Sequence, residues 1–236
     1  MNILAVGAHP DDIEILAAGT LAAYAQQGHT VSLCVMTNGE LGSDKHSKDE
    51  IREIRKTEAE QSASVLGADL LWLDEPDGFL YDTPGTREKM INAMRAARPD
   101  VLFVHSPDDY HPDHRTAAKI ALDARQLGSC NLISTGEPPT SGIPAVFIMD
   151  TLAGVAFEPE LWVDVSATIE TKLTMLRRHR SQNDWLRSLH GVDYTDFVER
   201  HGKMRGLQVG TNYAEGFRLF RGYPVPARVT ELLPKA

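Results

Sequence analysis

The sequence predicts an α/β fold, a mostly parallel sheet flanked on both faces by helices and carrying a C-terminal elaboration. Three observations carry that prediction. Short apolar, β-branched runs alternate with longer charged segments whose apolar positions recur at helical spacing. Glycine and proline mark the junctions between them. The resulting cadence of strand, helix, strand, helix is the one parallel sheets require, because each parallel pair needs a crossover, and such crossovers are right-handed. With 236 residues, 42% of them hydrophobic, the chain has material for one generous core.

Residues 2–8 (NILAVGA) form an apolar run ending in small residues, the mark of a buried strand. From Ile13 to about Gln27 the apolar positions follow a helix, with Gly28 as its C-cap. Thr30–Met36 is β-branched and apolar, a second strand, and the loop TNGELGSDKHSKDE follows. Residues 49–66 carry paired charges and an alanine-rich face, a helix ending at Gly67. The pattern then repeats: strand Ala68–Leu73, loop DEPDGFLYD, helix Gly85–Ala97, strand Val101–His105, and helix Arg115–Leu127 opened by HPDH. Residues 128–144, rich in Gly, Ser, Thr and Pro, read as a long loop, and Pro144–Asp150 as a strand. The last third predicts a strand near Leu161–Val165, helices near 166–180 and 193–208, then short extended pieces. No repeat divides the chain. We expect a single domain over 1–236, with a core at 1–150 and the elaboration at 151–236.

A formal net charge of −9 disfavours phosphate backbones and anionic lipid surfaces, so neither nucleic acid nor membrane is an expected partner. Cys34 and Cys130 match no metal or redox spacing and are expected as reduced thiols, Cys34 buried in VSLCVM. The start MNILAVGAHPDD lacks a secretory pattern, and no window reaches membrane-span length.

Ligands in open α/β sheets bind beyond the C-terminal ends of the strands. Two acid- and histidine-rich clusters fall there: His9-Pro10-Asp11-Asp12 after the first strand, and His111-Pro112-Asp113-His114 after VLFVH. Proline is favoured at the first helical position, so both clusters are expected at helix N-termini. Residues three apart then share a side, bringing His9 toward Asp12 and His111 toward His114. Imidazole with carboxylate suits zinc, although iron or cobalt fits the same donors. A catalytic zinc takes three protein ligands, and the surplus groups are candidates for moving protons. Asp11 and Asp12 diverge as neighbours, and spacing alone does not assign their roles. Structural alternatives stand beside each residue. The two acids suit a helix N-terminus, Asp77-Gly78 is a turn signal, His179 in RRHRSQ is expected on a solvated face, and Glu215 suits a structural contact.

The string AHPDDIE after a first strand, paired with HPDH about a hundred positions later, resembles the PIG-L/LmbE-like family of N-acetylglucosaminyl deacetylases, which includes enzymes of the mycothiol and bacillithiol pathways. The likeness extends to Arg55–Glu58, Lys172, Ser181–Gln182 and YAEGF at 213–217, roughly residues 3–220. It implies a Rossmann-like fold and one zinc ion per chain held by His9, Asp12 and His114. It further implies Asp11 as general base, His111 as general acid, Asp113 as the group orienting a neighbouring histidine, and Arg55 as a substrate contact. The implied substrate is a small N-acetylated sugar or conjugate, and the implied assembly a homo-oligomer, trimer or hexamer; the reduced thiols themselves lead us to expect a cytoplasmic setting. Where some members carry a tyrosine two positions before the HPDH histidine, this chain has Asp109, with Tyr110 next to it.

A metal-dependent phosphoesterase is the alternative, since Asp/His clusters also build two-metal sites. No third acid/His cluster stands at a strand end to complete one. A nucleotide-binding protein is disfavoured because VGAHPDD lacks the GxGxxG spacing, and a purely structural zinc module because of the spare acid and base.

Overall fold

A computed structural model of the chain describes residues 1–225 and 229–234. Among them, seven strands form one sheet in the order β3-β2-β1-β4-β5-β7-β6. The strands are β1 (Asn2–Gly7), β2 (Thr30–Thr37), β3 (Asp69–Glu75), β4 (Val101–Val104), β5 (Ala145–Met149), β6 (Leu161–Asp164) and β7 (Ala214–Leu219). β1 to β5 pair in parallel, whereas β7 runs antiparallel to both β5 and β6. The C-terminal third therefore extends the same sheet.

Among the described residues eight α-helices connect and cover these strands: α1 (Asp12–Leu16), α2 (Ala18–Gln26), α3 (Lys48–Leu66), α4 (Pro84–Ala97), α5 (Pro112–Leu127), α6 (Ile169–Leu176), α7 (Arg180–His190) and α8 (Tyr194–Val209). Strand periodicity sorts the core into two layers. Ile3, Ala5, Leu33 and Phe103 face one side with apolar residues of α1, α2, α6 and α8; Leu4, Val6, Cys34 and Leu102 face the other with those of α4 and α5. Phe103 packs on Phe147 and Phe217 at 5.6 and 5.2 Å between ring centres. Each such buried side chain contributes about 1.5–3 kcal/mol.

Local chemistry explains the helix ends. Ser47 accepts from the Glu50 amide while the Glu50 carboxylate accepts from the Ser47 amide, a reciprocal cap that starts α3. Pro112 opens α5. Two expectations fail. The helix predicted over Ile13–Gln27 is two helices, broken at Ala17 (φ −142°). Its second piece begins where the buried Glu215 carboxylate accepts from the Gly19 and Thr20 amides at 2.9 and 2.8 Å. The segment 180–190, assigned to no element from sequence, is α7, whose first turn is anchored by Glu58 accepting from the Ser181 amide and hydroxyl. Both cysteines are free thiols. No described helix is long and apolar enough to cross a membrane.

Candidate metal centre

β1 and β4 are hydrogen-bonded neighbours, with Ile3 opposite Val101 and Ala5 opposite Phe103, so the segments leaving their C-terminal ends emerge side by side. After β1 the chain makes a tight turn. The His9 amide donates to Asp12 Oδ2 at 2.7 Å, and the Asp12 amide returns to the His9 carbonyl at 3.3 Å. Asp11 occupies the left-handed region at φ 113°, which costs a non-glycine residue about 1–3 kcal/mol. This corrects the expectation that Pro10 opens a helix: α1 starts at Asp12, and the strained Asp11 stands as its cap residue. The turn aims the two adjacent carboxylates apart. In the second cluster the expectation for proline holds, with His111 as the cap residue accepting the Asp113 amide on Nδ1 at 3.3 Å.

The turns bring His9, Asp12 and His114 together. Asp12 Oδ2 lies 3.3 Å from His9 Nδ1, and Asp12 Oδ1 lies 3.3 Å from His114 Nε2. His111 joins them, since nitrogens of His9, His111 and His114 fall within 4.8 Å of one another. Behind each of His9 and His114 stands a carboxylate. His9 Nε2 meets Asp113 Oδ2 at 3.3 Å and Asp77 Oδ1 at 3.2 Å; His114 Nδ1 meets Asp109 Oδ2 at 3.0 Å. Such carboxylates fix the tautomer and orientation of metal-binding imidazoles. Burial opposes charge on His9 and His114, yet Asp12 and the carboxylates behind the rings outweigh it. They raise His9 well above its ordinary value and His114 to about 9. Asp12 is also buried, but His114, His105 and His9 hold its carboxyl well below the usual range. The cluster thus demands positive charge, and its imidazole and carboxylate donors fit a divalent cation.

Asp11 faces a buried polar layer that adjoins the cluster. Arg55 Nη2 donates to the Pro10 carbonyl at 2.6 Å and reaches Asp11 Oδ2 at 3.3 Å, while Nη1 reaches the Gly39 carbonyl at 3.3 Å. Gly39 (φ +68°) and Gly42 make room for the guanidinium; a Cβ on either would stand 2.7 or 2.6 Å from Nη1. The Tyr194 hydroxyl also hydrogen-bonds Asp11. Burial raises the Asp11 carboxyl to about 6, against the opposing pull of Arg55. Beneath this layer His179 Nε2 meets Glu14 Oε1 at 3.0 Å, with the Ser62 hydroxyl on the same oxygen.

Comparison with known proteins fits this geometry. The model of the PIG-L family, described as GlcNAc-PI de-N-acetylase, matches residues 4–125. The chain belongs to the PIG-L family. Among curated relatives of this PIG-L chain, a diacetylchitobiose deacetylase from Thermococcus kodakarensis is 27% identical, covering 94% of this chain and 84% of its own. A 4-oxalmesaconate hydratase from Pseudomonas putida is 25% identical, covering 98% and 92%. Among solved structures, N,N'-diacetylchitobiose deacetylase from Pyrococcus horikoshii, complexed with its inhibitor MPG, superposes with a TM-score of 0.80 at 27% identity, covering 96% of this chain and 87% of its own.

The PIG-L chain thus gathers His9, Asp11, Asp12, His111, Asp113 and His114 at one place, with Arg55 behind Asp11. Arg55 is 3% exposed and bonded to protein groups, so it is no surface arginine. His179 is fully buried on Glu14, not solvated. Asp77, offered mainly as a turn residue, adds a carboxylate from beyond β3, so a third strand end does feed the cluster. Glu215 lies away from the cluster, paired with Lys172, whose Nζ also donates to the Ile15 carbonyl at 2.7 Å. Sequence reasoning missed His105, Tyr194 and the role of Asp109. His105 and Asp109 lie in the ten-residue string HSPDDYHPDH, whose density of acids and histidines was the available signal. For Tyr194 no local signal exists.

Proposed function

We propose that this chain is a zinc-dependent hydrolase that removes the N-acetyl group from an amino sugar or sugar conjugate, with one zinc ion per chain. The observation that carries the reading is the meeting of His9, Asp12 and His114, with Asp12 oxygens 3.3 Å from a nitrogen of each histidine, and the buried carboxyl of Asp11 on the adjoining residue. That is the pairing an amide hydrolase needs: a carboxylate base beside a Lewis-acid site.

A divalent cation held by His9, Asp12 and His114 would polarise the amide carbonyl and strengthen water as a nucleophile. Asp11 accepts the proton of the attacking water, its carboxylate steered by Arg55 and Tyr194. His111 accepts the Asp113 amide on Nδ1 while neutral; the imidazolium that delivers a proton from Nε2 to the departing amine carries N–H on both nitrogens and gives up that contact, which re-forms when the ring returns to neutral. Burial, with His9 and His114 close by, holds His111 below its ordinary value, so once protonated it gives up that proton readily. Asp113 and Asp77 keep His9 in place, and Asp109 does the same for His114. Arg55 serves this reading through Asp11; its substrate contact is proposed only for groups that reach the Asp11 pocket.

The family likeness supports a homo-oligomer, trimer or hexamer, acting on a small molecule, and the free thiols support a cytoplasmic setting. A second reading, hydration of an unsaturated acid, is favoured by the similarity to the hydratase over 98% of the chain. The deciding experiment incubates zinc-reconstituted protein with a panel of N-acetylated sugars and measures acetate. Acetate release that stops on chelation supports the deacetylase. No acetate from the panel, with turnover of an enol dicarboxylate, overturns it. Phosphate release from esters with two tightly bound ions per chain favours the phosphoesterase instead.

A further inference from the structure

His105 follows β4 directly and is fully buried. Its Nε2 lies 3.1 Å from Asp12 Oδ2, and its ring stacks on His114 at 4.0 Å between centres, 14° from parallel. It therefore touches two of the three residues assigned to the cation and none of the solvent. Asp12 Oδ2 already accepts the His9 amide at 2.7 Å. Oδ2 also lies 3.3 Å from His9 Nδ1, so three nitrogens crowd this one oxygen. Oδ1 faces only His114 Nε2, at 3.3 Å, among the hydrogen bonds and ion pairs of this carboxylate.

We propose that His105 is a positioning residue of the metal centre: it donates from Nε2 to Oδ2 of Asp12 and so presents Oδ1, alone, to the cation shared with His9 and His114. The proposal rests on the reading of those three residues as the metal ligands. Its chemistry turns on which ring nitrogen carries the proton. The Ala8 amide also points at Nε2, at 3.0 Å, and one nitrogen cannot donate and accept in the same contact. With the proton on Nδ1, a buried N–H would have no acceptor among the described residues, and a lone pair would face the carboxylate. With the proton on Nε2, the Ala8 amide loses its acceptor, but the bond gained is to a charged group. Such bonds are roughly twice as strong as neutral ones. The second arrangement wins.

The test uses the full chain freed of metal, with His105→Phe and His105→Gln. Phenylalanine keeps the ring against His114 and removes the donor; glutamine places an amide N–H near the position of Nε2. Zinc affinity is measured by competition with a chromophoric chelator, and the wild-type tautomer by nitrogen NMR of histidine-labelled protein. We expect His105→Phe to bind zinc about 10–100-fold more weakly, His105→Gln to recover most of that loss, and the wild-type proton to sit on Nε2. Equal zinc affinity in the wild type and His105→Phe, or in His105→Gln a loss as large as that in His105→Phe, overturns the proposal. So does a proton on Nδ1, which needs no variant to fold. Failure of the wild type to bind zinc at all would instead overturn the reading of the metal centre.

Discussion

Replacing Asp11 by asparagine should make the metal-free protein more stable while removing its activity. The side chain is 4% exposed, and burial lifts its carboxyl from 3.8 to about 6. A shift of that size penalises the ionised form by about 3 kcal/mol in the folded state relative to the unfolded chain. The sign follows from the folded value lying above the unfolded one. Below about pH 4 the group is protonated in both states and the penalty is absent; it grows through the interval up to about pH 6 and is complete above it. Asparagine is isosteric, carries no charge and tolerates the left-handed backbone at φ 113°. It leaves Arg55 without its ionic partner, so about 3 kcal/mol is an upper bound, equivalent to roughly 6–12 °C in a domain of this length. The assay is differential scanning calorimetry of both proteins in chelator from pH 4 to 8, read as the difference in melting temperature. A rise for Asp11→Asn at pH 8 that shrinks toward pH 4 is expected. A melting temperature equal to or below wild type at pH 8, or a difference independent of pH, would refute the reasoning. The same variant, loaded with zinc, should turn over about 10²–10⁴-fold more slowly.

Other outcomes follow from the same contacts. His9→Ala and His114→Ala should lose their cation on dialysis, seen by elemental analysis, because each removes a donor that faces Asp12. His111→Ala should keep the cation and lose one limb of the pH dependence of kcat/KM; an unchanged profile would exclude His111 as the acid. Lys172→Met breaks a fully buried ion pair and strands Glu215, which costs about 3–5 kcal/mol in urea unfolding, with the slope unchanged.

What the sequence disclosed, and what it concealed, has a physical pattern. The apolar runs of β1, β2, β4 and β5 announce themselves because strands buried on both faces need continuous hydrophobicity. The pair HPDD and HPDH is legible because the donors proposed for one ion come from short segments at strand ends. Interactions between distant segments are what stayed hidden. The break at Ala17 is met by Glu215, about two hundred residues away, and α7 is anchored by Glu58 from α3. Nothing in either local sequence betrays its partner. His179 sits among arginines that look solvated, and only the packing of Glu14 and Ser62 against it explains its burial. His105 closes an apolar run and matches no ligand spacing; its significance exists only once β1 and β4 lie side by side.

That adjacency also divides labour within the molecule. The donors proposed to grip the ion hang mostly from two strands bonded to each other, where a change of length would dislocate the core. The surrounding mouth exposes Leu41, Phe79 and Tyr110. Its stretches 38–48 and 76–83 also carry Gly39 and Gly42, which seat Arg55, Asp77, which holds His9, and the Gly78 and Leu80 amides, which donate to Asp113. A designer seeking a new appetite for this scaffold should vary the positions between these anchors, and leave them and the strand ends untouched.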